Sequence, residues 1–332
     1  MYNQSSVISV PETRIRTPYC SHRTYNCRMH KLLILSRDEN RFRALIEEAR
    51  LVHLELTAKP APDVDIVLGE PALIKAALAS LPALSWVQSI WAGVEPLLDP
   101  ALRRDYMLTN ARGVFGKLMS EYVIGYLLAH ERRLIQRLEA QKNKRWDNSD
   151  TGTIRGKTVG LLGVGSIGLE VARTAKFFGM TVRGYTRESE ASAHVDHYYH
   201  GSRLLEFANG LDYLINILPN TNDTHKTVNA DLLNALPSQA LFINVGRGPA
   251  VDDSALIEAL HQDKIAGAVL DVFEREPLPK DHPFWTTPNL QMTFHTAAPS
   301  LPEDIAKIFI ENYMLFNEGK PLKYQVDFER GY

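Results

Sequence analysis

From residue 31 onward the chain alternates short, nearly continuous apolar runs with stretches in which apolar residues recur at helical spacing, the pattern of a parallel α/β protein. Buried strands are predicted at 31–36, 53–57, 64–68, 85–90 and 106–109, with helices near 39–50 and 71–80, the latter opened by Pro71 at a first-turn position. One long helix is predicted over Leu118–Lys142, where Tyr122, Ile124, Leu127, Leu128, Leu134 and Leu138 form an apolar stripe. A second series of strands follows at 158–162, 181–185, 213–217, 240–244, 265–270 and 290–294, and a last helix at 302–318 returns to the first unit in this reading. The pattern implies two doubly wound α/β domains with a cleft between them: a discontinuous one, 29–112 plus 299–332, and a continuous one, 113–298, with hinges at the crossings.

Residues 1–28 stand outside this pattern. They are polar, broken by Pro11 and Pro18, and periodic at neither helical nor strand spacing, so a disordered leader before a functional start at Met29 is expected. An organelle transit peptide is the alternative for an Arg-rich, acid-poor start, but the prolines spoil the amphipathic helix it needs.

Composition sharpens the picture in three ways. The 37 basic and 39 acidic residues give −2 overall, but the leader carries four arginines against Glu12, +3, leaving the rest at −5. Such a body lacks the basic excess that binds phosphate backbones, so nucleic acid is excluded as a partner. Both cysteines, Cys20 and Cys27, lie in the leader, which removes disulfides, thiolate metal sites and a cysteine nucleophile from the body. No apolar run approaches the roughly 18 residues that span a bilayer, so no membrane contact and a cytoplasmic location are expected. His194, His197 and His200 are spaced three apart, but no helical pattern holds them on one face; exposed histidines and no metal site are expected.

The segment Thr158-Val-Gly-Leu-Leu-Gly163-Val-Gly165-Ser166-Ile167-Gly168 reads as a strand, a tight turn and a helix start. Gly163 permits the turn, Gly165 lets the backbone approach a pyrophosphate, and Gly168 lets helix and strand pack closely; the helix N-terminus then offers free N–H groups and partial positive charge. The bland alternative is a glycine-rich turn with no ligand, but the context on both sides favours a Rossmann-like dinucleotide site, with Ser166 and Ile167 in its first turn. At the end of the next strand, Thr186 stands where an NAD-binding acid would align, and Arg187 can pair with a 2′-phosphate. NADP(H) is favoured, NAD(H) being the alternative because Glu188 restores an acid after a short alignment slip.

Three further segments follow predicted strands: Asn244-Val-Gly-Arg247-Gly248, Leu270-Asp-Val-Phe-Glu-Arg-Glu276-Pro277 and Thr293-Phe-His295-Thr-Ala-Ala298. Singly, each has an ordinary explanation: a surface Arg in a glycine turn, a solvated acid before proline, a capping histidine. With Thr109-Asn-Ala-Arg-Gly113 and Ile217-Leu-Pro-Asn220-Thr, their order and spacing resemble the D-isomer-specific 2-hydroxyacid dehydrogenase family from about residue 31 to the C-terminus. Leu214–Thr221, Asp271–Pro279 and Arg330-Gly-Tyr332 look most like its glyoxylate and hydroxypyruvate reductases, the match being looser over 31–110. Phe294 departs from the proline common at that position.

The resemblance implies that Arg247, Glu276 and His295 form the catalytic set, and residue chemistry supports each role. An Arg fork holds a carboxylate and polarises the adjacent carbonyl; a histidine titrates near neutrality and gives a proton to the oxygen; a carboxylate beside it stabilises imidazolium. The resemblance also implies that Pro219, Thr224, Val245 and Asp271 border the cofactor and that Ala92, Gly93 and Val94 meet the substrate carboxylate. Leu68-Gly69 is expected along the same cleft. The expected reaction is NAD(P)H-dependent reduction of a small 2-oxo acid, glyoxylate or hydroxypyruvate, to the 2-hydroxy acid, by a homodimer through the helix at 118–142. The rivals are a D-3-phosphoglycerate dehydrogenase-like enzyme, which needs extra basic groups for the phosphate, and a nucleotide-sensing binding protein without turnover.

Overall fold

The structure, a computed structural model, describes residues 28–187 and 192–331. Two all-parallel sheets dominate it, and the inner strands Ile66–Gly69, Trp86–Ser89, Tyr213–Asn216, Leu241–Asn244 and Gly267–Leu270 are buried at every position, as expected of sheets covered on both faces. The first contains β1 (His30–Leu35), β2 (Leu54–Thr57), β3 (Ile66–Gly69), β4 (Trp86–Ser89) and β5 (Met107–Thr109), ordered β2-β1-β3-β4-β5. Helices α1 (Glu39–Glu48) and α2 (Pro71–Ala77) are its crossovers. Helices α3 (Phe115–Glu131) and α4 (Leu134–Lys142) then lead to the second sheet.

That sheet is built from β6 (Thr158–Leu162), β7 (Thr181–Tyr185), β8 (His197–Tyr199), β9 (Tyr213–Asn216), β10 (Leu241–Asn244), β11 (Gly267–Leu270) and β12 (Leu290–Met292). Its crossovers include α5 (Ser166–Phe177), α6 (Leu204–Ala208), α7 (Ala230–Ala235) and α8 (Asp253–His261). The order β12-β11-β10-β9-β6-β7-β8 reverses direction between β6 and β9, where open α/β sheets leave a crevice for ligands. The last helix, α9 (Pro302–Asn317), packs on the first sheet: Ile305, Phe309 and Tyr313 join Leu32, Ile34, Ile66 and Trp86 in one core cluster. Strand bounds agree with the sequence pattern to within about two residues.

Three expectations are corrected. The single helix over 118–142 is two helices, because Arg133 takes a left-handed conformation, φ +54°, that ends the helical hydrogen bonding. The break also divides the apolar stripe: Val123 and Leu127 are buried against α5 and its sheet, whereas Leu134, Ile135 and Leu138 stay about half exposed. His197 is exposed but lies in an edge strand, paired opposite Arg183, whereas His194 and His200, expected to be exposed, are only half exposed. Leu68 and Gly69 are buried within the first sheet; Gly69 is a glycine because a Cβ there would strike the backbone of Leu35, so the pair is packing rather than cleft wall. The leader with Cys20 and Cys27, Glu188, and the final Tyr332 lie outside the described residues. No helix among the described residues is long and apolar enough to cross a membrane, and none of their His, Cys, Asp and Glu side chains form a group of three or more that could hold a metal ion.

The indole of Trp86 and the ring of Phe309 stack with centroids 5.1 Å apart and planes 4° from parallel, joining α9 to the first sheet. Phe309→Ala is therefore expected to cost about 3–5 kcal/mol, the usual range for emptying a buried aromatic site. Urea denaturation reads this directly; a loss below about 1 kcal/mol would contradict the placement of α9 in that core.

Candidate active site

Parallel strands deliver all their C-terminal loops to one edge, and here the loops of both sheets face a common cleft of about 630 Å³. The first sheet contributes Arg37 after β1 and Trp91, Ala92, Gly93 and Glu95 after β4; the second contributes Val245, Arg247, Asp271, Glu274, Glu276 and His295. Val94 is not part of this wall. Its side chain turns into the core beside Leu97. The loop that presents Ala92 and Gly93 is held from several sides: Asn110 Nδ2 donates to Ala92 O, Ala111 N to Trp91 O, and Ser300 Oγ to Ile90 O.

The glycine loop has the geometry expected of a pyrophosphate cradle. Gly163 turns at φ +93°, a Cβ on Gly168 would run into the carbonyl of Gly163, and a Cβ on Gly165 would meet nothing within 4 Å. Gly165 caps α5 without any side-chain hydrogen bond, so the first N–H groups of a 12-residue helix face open space above Ser166, and Ile167 lines the cleft. These residues fit a dinucleotide. Thr186 and Arg187 follow β7; the Thr186 N–H donates to Tyr199 O, and its hydroxyl lies 3.2 Å from His200 Nδ1. Thr224 is buried inside its own loop, donating to Pro219 O at 2.6 Å and accepting from the Thr221 N–H, so it shapes the segment on which Pro219 is exposed.

Arg247 follows β10, and paired asparagines set its loop. Asn216 Nδ2 donates to Asn244 Oδ1 at 2.9 Å, and Asn244 Oδ1 also accepts from Gly246 N, tying the ends of β9 and β10 together. The guanidinium is pinned on two sides: Nε donates to Glu95 Oε1 at 2.7 Å and Nη1 to Gly246 O at 2.8 Å. Nη2 lies against Gly93, where any Cβ would collide with it. The Arg247 charge holds the half-exposed Glu95 carboxyl below its ordinary range against the upward push of burial.

His295 follows β12 with a left-handed backbone, φ +57°, a conformation costing a non-glycine residue of order 1–3 kcal/mol. Asp271 compels it. The Asp271 carbonyl accepts from His295 N at 2.7 Å, and its buried carboxylate accepts from Thr296 N, Ala297 N and the Thr293 hydroxyl. Tyr122 of α3 joins the same chain, its hydroxyl 2.7 Å from Thr293 Oγ1. The imidazole then reaches Glu276, with Nδ1 2.7 Å from Oε2, while Glu276 Oε1 accepts from Phe273 N. The hydrogen bond to Glu276 raises the His295 pKa above 6.5 despite partial burial. Burial pushes the Glu276 carboxyl up, but the bonds from His295 and Phe273 N outweigh it and hold it below 4.5. The pair is thus charged across the interval between those two values.

The cleft therefore brings together Arg247, Glu276, His295, Asp271, Val245, Ile167, Ala92 and Gly93, a guanidinium and a charged imidazole facing one small space. Glu95, Tyr122 and the two asparagines are given no role at the site in the sequence reading. Asn216 and Asn244 carried a signal, a polar residue ending each of two apolar strands, whereas Glu95 and Tyr122 are far in sequence from what they touch.

Comparison with known proteins agrees with this geometry. Residues 124–297 match the family model of the D-isomer specific 2-hydroxyacid dehydrogenase NAD binding domain. The chain is 33% identical over 257 residues to glyoxylate/hydroxypyruvate reductase A of Klebsiella pneumoniae, covering 75% of this chain and 82% of that protein. A D-isomer specific 2-hydroxyacid dehydrogenase family protein of Aeromonas salmonicida superposes with TM-score 0.87 at 41% identity, covering 90% of this chain and 99% of that one. A D-isomer specific 2-hydroxyacid dehydrogenase of Xanthobacter autotrophicus, solved in complex with NADPH and MES, superposes with TM-score 0.81 at 31% identity, covering 92% and 100%. With its fold, its glycine cradle and these matches in agreement, the chain belongs to the D-isomer specific 2-hydroxyacid dehydrogenase family of NAD(P)-dependent oxidoreductases.

Proposed function

We infer that this enzyme reduces a small 2-oxo acid, glyoxylate or hydroxypyruvate, to the 2-hydroxy acid with NADPH. The observation that carries the reading is Arg247 Nη2 beside Gly93, facing the His295–Glu276 pair across one cleft. In this reading Arg247 and the backbone at Ala92–Gly93 hold the substrate carboxylate, and the fixed charge of Arg247 polarises the adjacent carbonyl. Bound nicotinamide supplies the hydride. Because His295 Nδ1 is committed to Glu276, Nε2 is the nitrogen left to deliver a proton to the carbonyl oxygen. Glu276 keeps the imidazole charged until that transfer. Asp271, Val245 and the 219–224 loop would border the cofactor, and Thr186 and Arg187 after β7 would meet its adenosine ribose and 2′-phosphate. Arg187 and the NADPH in the Xanthobacter relative both favour NADP(H) over NAD(H).

Residues 29–112 with 299–332 act as the substrate unit and 113–298 as the cofactor unit, and closure about the crossings excludes water from the cleft. The exposed Leu134, Ile135 and Leu138 of α4 favour a homodimer. A phosphorylated substrate is disfavoured, since Glu95, Asp271, Glu274 and Glu276 line the cleft with Arg37, Arg247 and the His295 imidazolium, four negative groups to three positive. The ordered His295–Glu276 pair likewise disfavours a sensor without turnover.

Oxidation of NADPH is expected with glyoxylate and with hydroxypyruvate, and more slowly with NADH; no turnover with any 2-oxo acid would contradict the reading. His295→Ala is expected to lower kcat about 10²- to 10⁴-fold, the range for a lost acid–base group. Glu276→Gln is expected to bring the His295 pKa down towards 6.5, read by proton NMR titration of the imidazole. An unchanged pKa would show that Glu276 does not hold the proton there.

A further inference from the structure

Glu95 is a carboxylate placed inside a site that has to bind carboxylates. It lies two residues beyond Gly93 at the start of the short turn Glu95–Leu97, and its Oε1 takes the Nε–H of Arg247 at 2.7 Å. Its Oε2 stands close enough to Gly93 that a Cβ there would meet it as well as Arg247 Nη2. One side of the guanidinium fork is therefore occupied by an anion of the protein itself, and Gly246 O takes Nη1. Among the described residues Nη2 carries no hydrogen bond, so a substrate carboxylate has this one edge of the fork to meet.

This arrangement has two consequences for whatever lies beyond the substrate carbonyl. Arg247 and Glu95 offset each other as a charge pair, as do His295 and Glu276, and Arg37, the other cation lining the cleft, has Glu70 3.8 Å away, so a second incoming negative charge is met less favourably than the first. A carboxylate accepts hydrogen bonds and donates none, so a neutral hydroxyl near Glu95 is welcomed while an anionic group is repelled.

Resting on the 2-oxo acid reading above, we propose that Glu95 determines which 2-oxo acids this enzyme accepts: monoanions whose C3 is absent or carries a hydroxyl, and not acids with a second anionic group. Glu95 does this through charge and hydrogen-bond acceptance, while also holding Arg247 in orientation. The two roles separate in Glu95→Gln, whose side-chain oxygen still accepts from Arg247 Nε but whose charge is gone.

The experiment compares kcat/KM for glyoxylate, hydroxypyruvate and oxaloacetate with NADPH in the wild type, Glu95→Gln and Glu95→Asp. The expected result is a rise in the oxaloacetate-to-glyoxylate ratio of about 10- to 100-fold in Glu95→Gln, roughly 1.4–2.8 kcal/mol of discrimination, chiefly through KM. Glu95→Asp, which keeps the charge, is expected to stay near the wild-type ratio. Should Glu95→Gln fail to fold, Glu95→Ala replaces it in the same comparison with the same expected direction. A wild type that reduces the monoanions while the ratio stays unchanged in the neutral variants overturns the role of Glu95 alone. A wild type that reduces no 2-oxo acid overturns both this proposal and the reading on which it rests.

Discussion

The site depends on holding one imidazole in a backbone conformation that histidine does not choose for itself. His295 sits at φ +57°, and a free loop would relax from it. Asp271 prevents this by accepting from three consecutive backbone N–H groups, His295 at its carbonyl and Thr296 and Ala297 at its carboxylate, and from the Thr293 hydroxyl on the other side of the histidine. Because Asp271 directly follows β11, a strand paired on both sides in the second sheet, the histidine inherits the rigidity of the sheet rather than that of its loop. Tyr122 carries the same chain of hydrogen bonds across to α3.

The second constraint is electrostatic. A body carrying −5 has to bind an anionic acid and an anionic cofactor, and it does so without a basic surface. Positive charge is supplied at points: Arg247, the His295 imidazolium and the open N-terminus of α5, with Arg187 following β7. In the cleft each cation has its own carboxylate, Glu95 for Arg247 and Glu276 for His295, which keeps the groups charged and oriented before any ligand arrives. The price is weak attraction for highly charged molecules, and that is consistent with a small substrate.

Much of this architecture was legible in the chain because parallel strands buried on both faces write themselves as apolar runs, and because Gly163, Gly165 and Gly168 leave a spacing with a backbone reason. His295, Glu276 and Arg247 stood out in segments following strands, and the family resemblance is what joined them into one set. The remainder depends on contacts between distant segments. Nothing local in Arg132-Arg133 announces a left-handed turn, so the helix over 118–142 read as continuous. The three-residue strand at His197 is too short for alternation to register. Glu95 is 152 positions from the guanidinium it holds, and only the folded cleft puts them together. Asp271 was legible as a polar residue following a strand, but its grip on the loop of His295 was not.

In the proposed reaction a positioned, protonated His295 delivers the proton that completes reduction. The most direct measurement is the pH dependence of the single-turnover reduction rate of hydroxypyruvate by NADPH in the wild-type enzyme. Since Glu276 raises the His295 pKa, the imidazolium persists past pH 6.5 and disappears as pH rises through the raised value. The rate is therefore expected to be level below that raised pKa and to fall about tenfold per pH unit above it, as loss of one required proton dictates. A rate that stays constant across the same interval would contradict proton donation by His295.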